Sequence, residues 1–215
     1  MKFDVTKLSW VDFAIVLVLL IGVARGRKRG MSEELLDLIK WLASVALAAL
    51  FYQPLGNYLE ANSFFSHLFC YLAVYLGIVL AIRLAFSMVK QQVGEKLVGS
   101  DLFGNAEYYL GIGAGLVRFA CIVLFVLALL NARFYSPEEL DRGRKMQADN
   151  FGTISFPTLA TLQEQVFVKS LLGSAIKHNL AAVLIKPTPP EKKGLARAGA
   201  TRNREQVIDE VLKPR

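Results

Sequence analysis

Reactive side chains are scarce in this chain. Its 215 residues include two cysteines and two histidines, with Cys70 far from Cys121 and His67 far from His178. That spacing offers no dithiol motif, no disulfide framework and no zinc site, and it leaves a histidine proton relay with nothing to relay to. A G-x-S-x-G nucleophile turn is absent as well. The expectation is a protein that is not an enzyme, with no catalytic, cofactor-binding or metal-binding residues. Charge is also thin, at 20% of residues against about a quarter in soluble domains.

Apolar residues fill the gap, at 54% of the chain with a formal net charge of +7 and a mean hydropathy of +0.41. Their distribution excludes a single soluble globule. Up to Ala132 there are 11 Lys/Arg against 9 Asp/Glu, and beyond it 14 against 9, while nearly every long apolar run lies in the first part. An apolar front and a basic, water-facing back make lipid the expected partner and nucleic acid a poor one.

A helix crossing the hydrocarbon needs roughly 20 apolar residues, with about 17 as the lower limit. Four stretches meet or approach that length: Leu8 to Ala24, Leu35 to Tyr52, Phe64 to Val89 and Tyr109 to Leu130. The first ends in Arg25, Arg27, Lys28 and Arg29 and has Asp12 near its start. This favours a retained span over a cleaved leader. A re-entrant hairpin formed with the second stretch is the alternative. Asp37 and Lys40 at the start of the second stretch are spaced to pair on one helix face. The basic loops after the first and third spans predict that both lie in the cytoplasm, with the two termini on the other side.

Between the third and fourth spans, the alternation of Val93, Leu97, Val98 and Leu102 suggests an amphipathic piece at the membrane interface. After the fourth, Ser136-Pro137-Glu138-Glu139 is a helix start expected to run to about Met146. Thr161-Leu162-Gln163-Glu164 reads as a capping box. The apolar stripe after it predicts one or two amphipathic helices ending before Pro187, lying on the bilayer, on the spans or on a partner. Residues 187–215 are rich in Pro, Gly, Ala, Lys and Arg, which predicts a disordered basic tail; 203–212 could form a short helix on contact. The fold class expected is all-α: an integral membrane domain of about four transmembrane helices over 1–132, an amphipathic helical extension over 133–186, and the tail.

Gly-Ile-Gly-Ala-Gly at 111–115 lacks the Lys-Ser/Thr of a phosphate loop and lies inside an apolar span. Gly111 and Gly115 read better as a G-x-x-x-G packing face, and Ala43, Ser44, Ala46 and Ala49 make the second span its expected partner. Arg118 lies on the same side of the helix. An arginine at mid-span costs at least about 2.5 kcal/mol, so it must face protein, water or a carboxylate. Asp12 or Asp37 is the expected neutralising group. Two readings stay open: a buried ion pair that holds the bundle, or a solute path lined by Arg118 and Asp12 in a small transporter or channel subunit. Arg83, near a span end, can snorkel.

Trp10-Val11-Asp12, the run from Gly22 through Arg25, Gly26 and Arg29 to Gly30, and Leu110-Gly111 with Gly115 and Arg118 together resemble the CvpA family, bacterial inner-membrane proteins named for colicin V production. Glu107-Tyr108 stands where the family usually has Asp-Arg, and Phe119 where it has glycine. The resemblance covers about Trp10 to Leu130. It implies a multi-pass inner-membrane location and a non-enzymatic accessory role in toxin production, secretion or envelope homeostasis. Another envelope or secretion protein, or a second copy of the chain, is the partner implied; Asp12, Arg25, Gly26, Arg29, Gly111, Gly115 and Arg118 are the motif or helix-packing residues.

Overall fold

The computed structural model describes residues 9–98, 104–151 and 158–188. Three long helices are apolar enough to cross a membrane: α1 (Trp10–Ala61), α2 (His67–Val98) and α3 (Glu107–Asn131). The first is bent. Gly30 has φ +74 and ψ 174 inside it, a left-handed conformation that glycine adopts without the steric penalty of a Cβ. Glu107 then secures the restart by accepting hydrogen bonds from the Ser32 N–H at 2.6 Å and the Ser32 hydroxyl at 3.0 Å.

The bend folds α1 back on itself. In an unbroken helix Val11 and Tyr52 would stand about 60 Å apart, at about 1.5 Å per residue, yet both belong to one buried cluster with Ile15, Ala48, Leu127 and Ala128. Gly22, Gly26 and Gly30 on the first arm (residues 10–29 and the bend) face Phe119, Gly111 and Glu107 in turn, so that arm runs opposite to α3. Glu34 meets Arg118 and Trp41 meets Phe125, so the second arm (residues 31–61) runs with α3. Four rods result, with the first arm packed antiparallel to α3. Helix continues through Arg25, Arg27, Lys28 and Arg29, past the expected end at Ala24.

The partner of the G-x-x-x-G face differs from the expected one. Gly111 and Gly115 pack on the first arm, against Gly22, Gly26 and Gly30, and not on the small residues of the second. A Cβ built on Gly111 would lie 2.6 Å from the Gly26 carbonyl oxygen and 2.8 Å from the Gly30 Cα. The physical reason is a matching ridge: glycines four apart on both helices let the backbones touch, which Ala43 and Ala49 with their methyl groups do not. Ala46 is exposed, and Ser44 bonds its own helix at the Lys40 carbonyl.

Leucines such as Leu17, Leu20, Leu50, Leu80 and Leu84 are exposed around the rods, a belt that only hydrocarbon can solvate. Helix α2 continues to Val98; the amphipathic reading of Val93 to Leu102 concerns side chains outside the described residues. So do residues 189–215 of the predicted tail, including the contact helix at 203–212.

Beyond α3, Ser136 caps α4 (Pro137–Phe151) by accepting from the Glu139 N–H at 3.2 Å; α4 passes Met146. Next come α5 (Leu159–Glu164), a π-helical turn (Gln165–Lys169) and α6 (Leu171–Asn179). The cap of α5 is Thr158, with Thr161 as its box partner. Thr161 is therefore inside the helix, not its start: its hydroxyl accepts the Thr158 N–H at 2.8 Å, which shifts the start one turn earlier. Of the three places open to this segment, it takes the spans. Val166, Phe167, Leu184 and Ile185 enter the cluster of Val11 and Tyr52, and the Asn131 amide donates to the Ile185 carbonyl at 2.9 Å. Thr188 and Ala132 close the segment with a backbone bond of 2.9 Å.

Candidate functional site

The bend at Gly30 places two carboxylates at the start of the second arm. Glu34 and Asp37 are one turn apart and both buried, near a helix N-terminus where negative charge is favoured. One turn beyond Gly115, Arg118 reaches them from α3. Its guanidinium Nη1 lies 2.5 Å from Glu34 Oε2 and 3.3 Å from Asp37 Oδ2. From the first arm, Arg29 stands 3.5 Å from Glu34 and 3.7 Å from Asp37. Lys40 donates to Asp37 at 2.6 Å, the pairing expected from its spacing, and Lys90 of α2 stands 3.7 Å from Asp37.

All four rods thus meet on two carboxylates. Glycine contact brings the first arm and α3 close enough for Arg29 and Arg118 to share them. The arrangement is a charge lock near one end of the bundle, the end that carries the basic residues after the first arm. Within it, Glu34 Oε1 and Arg118 Nε are buried without a hydrogen-bond partner, although Arg29 lies 3.5 Å from that oxygen. Glu34 was not foreseen. It flanks the apolar run at Leu35 and so reads in sequence as a surface residue, and only the bend turns it inward. Arg25 is exposed and Gly26 buried in the crossing.

Asp12 does not join Arg118. It lies at the opposite end of the first arm, where Oδ1 accepts from the Ser170 hydroxyl at 2.6 Å and the Leu172 N–H at 2.9 Å, and Oδ2 from the Leu171 N–H at 3.2 Å. The Ser9 N–H donates to Oδ2 at 2.8 Å. Asp12 therefore satisfies the free N–H groups of α6 and ties the extension to the first arm. Asp12→Ala is expected to remove about 1 to 2 kcal/mol of capping and to speed amide exchange at residues 171–173 while leaving that of residues 115–121 unchanged. Unaltered protection at 171–173 would mean that Ser170, which accepts from the Gly173 N–H, holds α6 alone.

Among the described residues no three His, Cys, Asp or Glu side chains are grouped as a metal site needs, and Cys70 and Cys121 are buried and free. The family described as colicin V production protein matches residues 11–145. The chain belongs to the colicin V production protein family. No curated protein and no solved structure matches it. The family match extends past the expected limit at Leu130 into α4. It contains the glycine crossing, the charge lock and Asp12, whereas the α5–α6 segment that Asp12 holds lies beyond it. In this family member the motif residues serve three places: Gly26, Gly111 and Gly115 the crossing, Arg29 and Arg118 the lock, and Asp12 the cap.

Proposed function

We propose that the protein is a non-enzymatic accessory protein of the bacterial inner membrane, acting in toxin production or secretion or in envelope homeostasis. The observation that carries this reading is the closure of the intramembrane charges on one another. Arg118, Glu34 and Asp37 neutralise each other at one end of the bundle, and Asp12 is consumed by backbone N–H groups at the other. Two separate polar knots brace helices; a solute path needs polar groups in sequence between them. Family membership supports the link to colicin V production.

With the basic end of the bundle in the cytoplasm, the α5–α6 segment lies on the other side. There it offers a folded surface to an envelope or secretion protein, and a second copy of the chain is the other candidate partner. Nucleic acid has no place in this reading. The test is flux. Vesicles containing the purified chain are expected to hold gradients of protons, potassium and small anions as long as protein-free vesicles do. Release that scales with the amount of chain would overturn the accessory reading and establish transport.

A further inference from the structure

One groove beside the charge lock carries more positive charge than the lock consumes. Between the second arm and α2 lies a cavity of about 230 Å³ lined by Leu36, Asp37, Lys40, Arg83, Phe86, Ser87 and Lys90. Three cations face a single carboxylate there. That carboxylate, Asp37, is already shared with Arg29 and Arg118. Arg83 has no carboxylate within ion-pairing distance among the described residues; its guanidinium lies over the ring of buried Trp41, 4.9 Å from the centroid. Uncompensated cations at the edge of a hydrocarbon layer call for an anion.

The lining also says which kind of anion. Arg83 and Lys90 are exposed on a helix surrounded by lipid-facing residues such as Leu80, Leu84 and Met88, so the groove opens sideways toward the bilayer. Phe86 and Leu36 offer apolar contact next to the cations, and Ser87 adds a hydroxyl donor. A phosphate attached to an acyl glycerol matches both halves of such a surface, and basic pockets between transmembrane helices recognise lipid head groups in this way. We propose that the groove binds the phosphate of an anionic phospholipid, with Lys40, Arg83 and Lys90 as its cationic ligands.

Trp41 beneath Arg83 supplies a local probe, because Trp10→Phe leaves it the only tryptophan in the chain. The Trp10→Phe protein is reconstituted in phosphatidylcholine vesicles with a minor share of phosphatidylglycerol. Dibrominated acyl chains, which quench tryptophan, are placed on one lipid or the other. Brominated phosphatidylglycerol is expected to quench Trp41 about fivefold beyond its mole fraction, since one cation near anionic lipid is worth about 1 kcal/mol. Arg83→Gln with Lys90→Gln should return quenching to the mole fraction, and Arg83→Lys should preserve the preference. Quenching by each lipid in proportion to its mole fraction overturns the proposal. So does a preference abolished by inorganic phosphate but not by chloride at the same ionic strength, which would assign the groove to the free ion.

Discussion

Gly26→Leu is expected to separate the first arm from α3 and to destabilise the bundle by about 3 kcal/mol or more, the upper part of the range for overpacked interiors. The size follows from what the new side chain meets. Flexible neighbours relax around an added carbon at small expense, but a Cβ at Gly26 meets the Gly111 carbonyl oxygen, and the Gly115 Cα at 2.9 Å. Both are backbone atoms within a helix, so the whole rod must retreat. Retreat weakens the lock too, because Arg29 and Arg118 approach Glu34 from the two helices that the glycines hold together. Even Gly26→Ala should lose much of the same stability. Gly113→Leu is the control: it lies on the same helix as Gly111, and nothing stands within 4 Å of its added Cβ. Equilibrium unfolding of the purified chain in mixed detergent micelles reads the difference. If Gly26→Leu and Gly113→Leu unfold alike, the crossing is not close-packed and the glycines have another use.

How much of this was legible beforehand differs by residue. The rods were legible because lipid leaves helix as the simplest way to satisfy backbone polar groups, so long apolar runs such as 109–130 translate directly into α3. The G-x-x-x-G face was legible as a face, yet its partner was not. Gly22, Gly26 and Gly30 carry the same four-residue spacing, but they sit among the arginines that mark topology, and the charge pattern masked the packing pattern. Asp12 and Arg118 are both charged residues inside apolar runs, and sequence alone invites pairing them. Their distance apart follows from the direction in which the first arm runs past α3: with both termini on one side, as the basic loops predict, the two helices are antiparallel and Asp12 lies at the far end from the lock. Glu34 illustrates the limit. Its burial arises from a tertiary turn, so the residue most deeply enclosed in the lock looked like the polar edge of a span. The extension was readable as amphipathic, whereas its choice of the spans over the bilayer depends on long-range backbone bonds such as Thr188 N–H to the Ala132 carbonyl, to which side-chain periodicity gives no clue.

Arg118→Ala tests the lock itself, and two magnitudes compete in setting its effect. Neutral hydrogen bonds between transmembrane helices average only about 0.6 kcal/mol, because the membrane-unfolded chain finds other partners. Removing one member of a buried ion pair instead costs about 3 to 5 kcal/mol, most of it the penalty of an uncompensated charge. The second figure governs here. Arg118 is the cation in hydrogen-bonding contact with Glu34, whose side chain is 1% exposed, and Arg29 stands farther off at 3.5 Å and is itself one-third exposed. Asp37 is better insured, since Lys40 and Lys90 remain. Glu34→Ala leaves Arg118 with Asp37 alone and should destabilise by a smaller amount. In the pair Glu34→Gln with Arg118→Met the carboxylate that needed the arginine is gone, and the double variant should recover most of the loss seen for Arg118→Met alone, the cycle being closed by Glu34→Gln alone. A coupling of about 2 to 3 kcal/mol between the two positions is therefore expected, at the upper end for contacting residues. The measurement is a double-mutant cycle from unfolding in mixed micelles. Effects that add, with no recovery in the double variant, would mean that Glu34 and Arg118 are solvated independently and that water, not their ion pair, fills the space where the four rods meet.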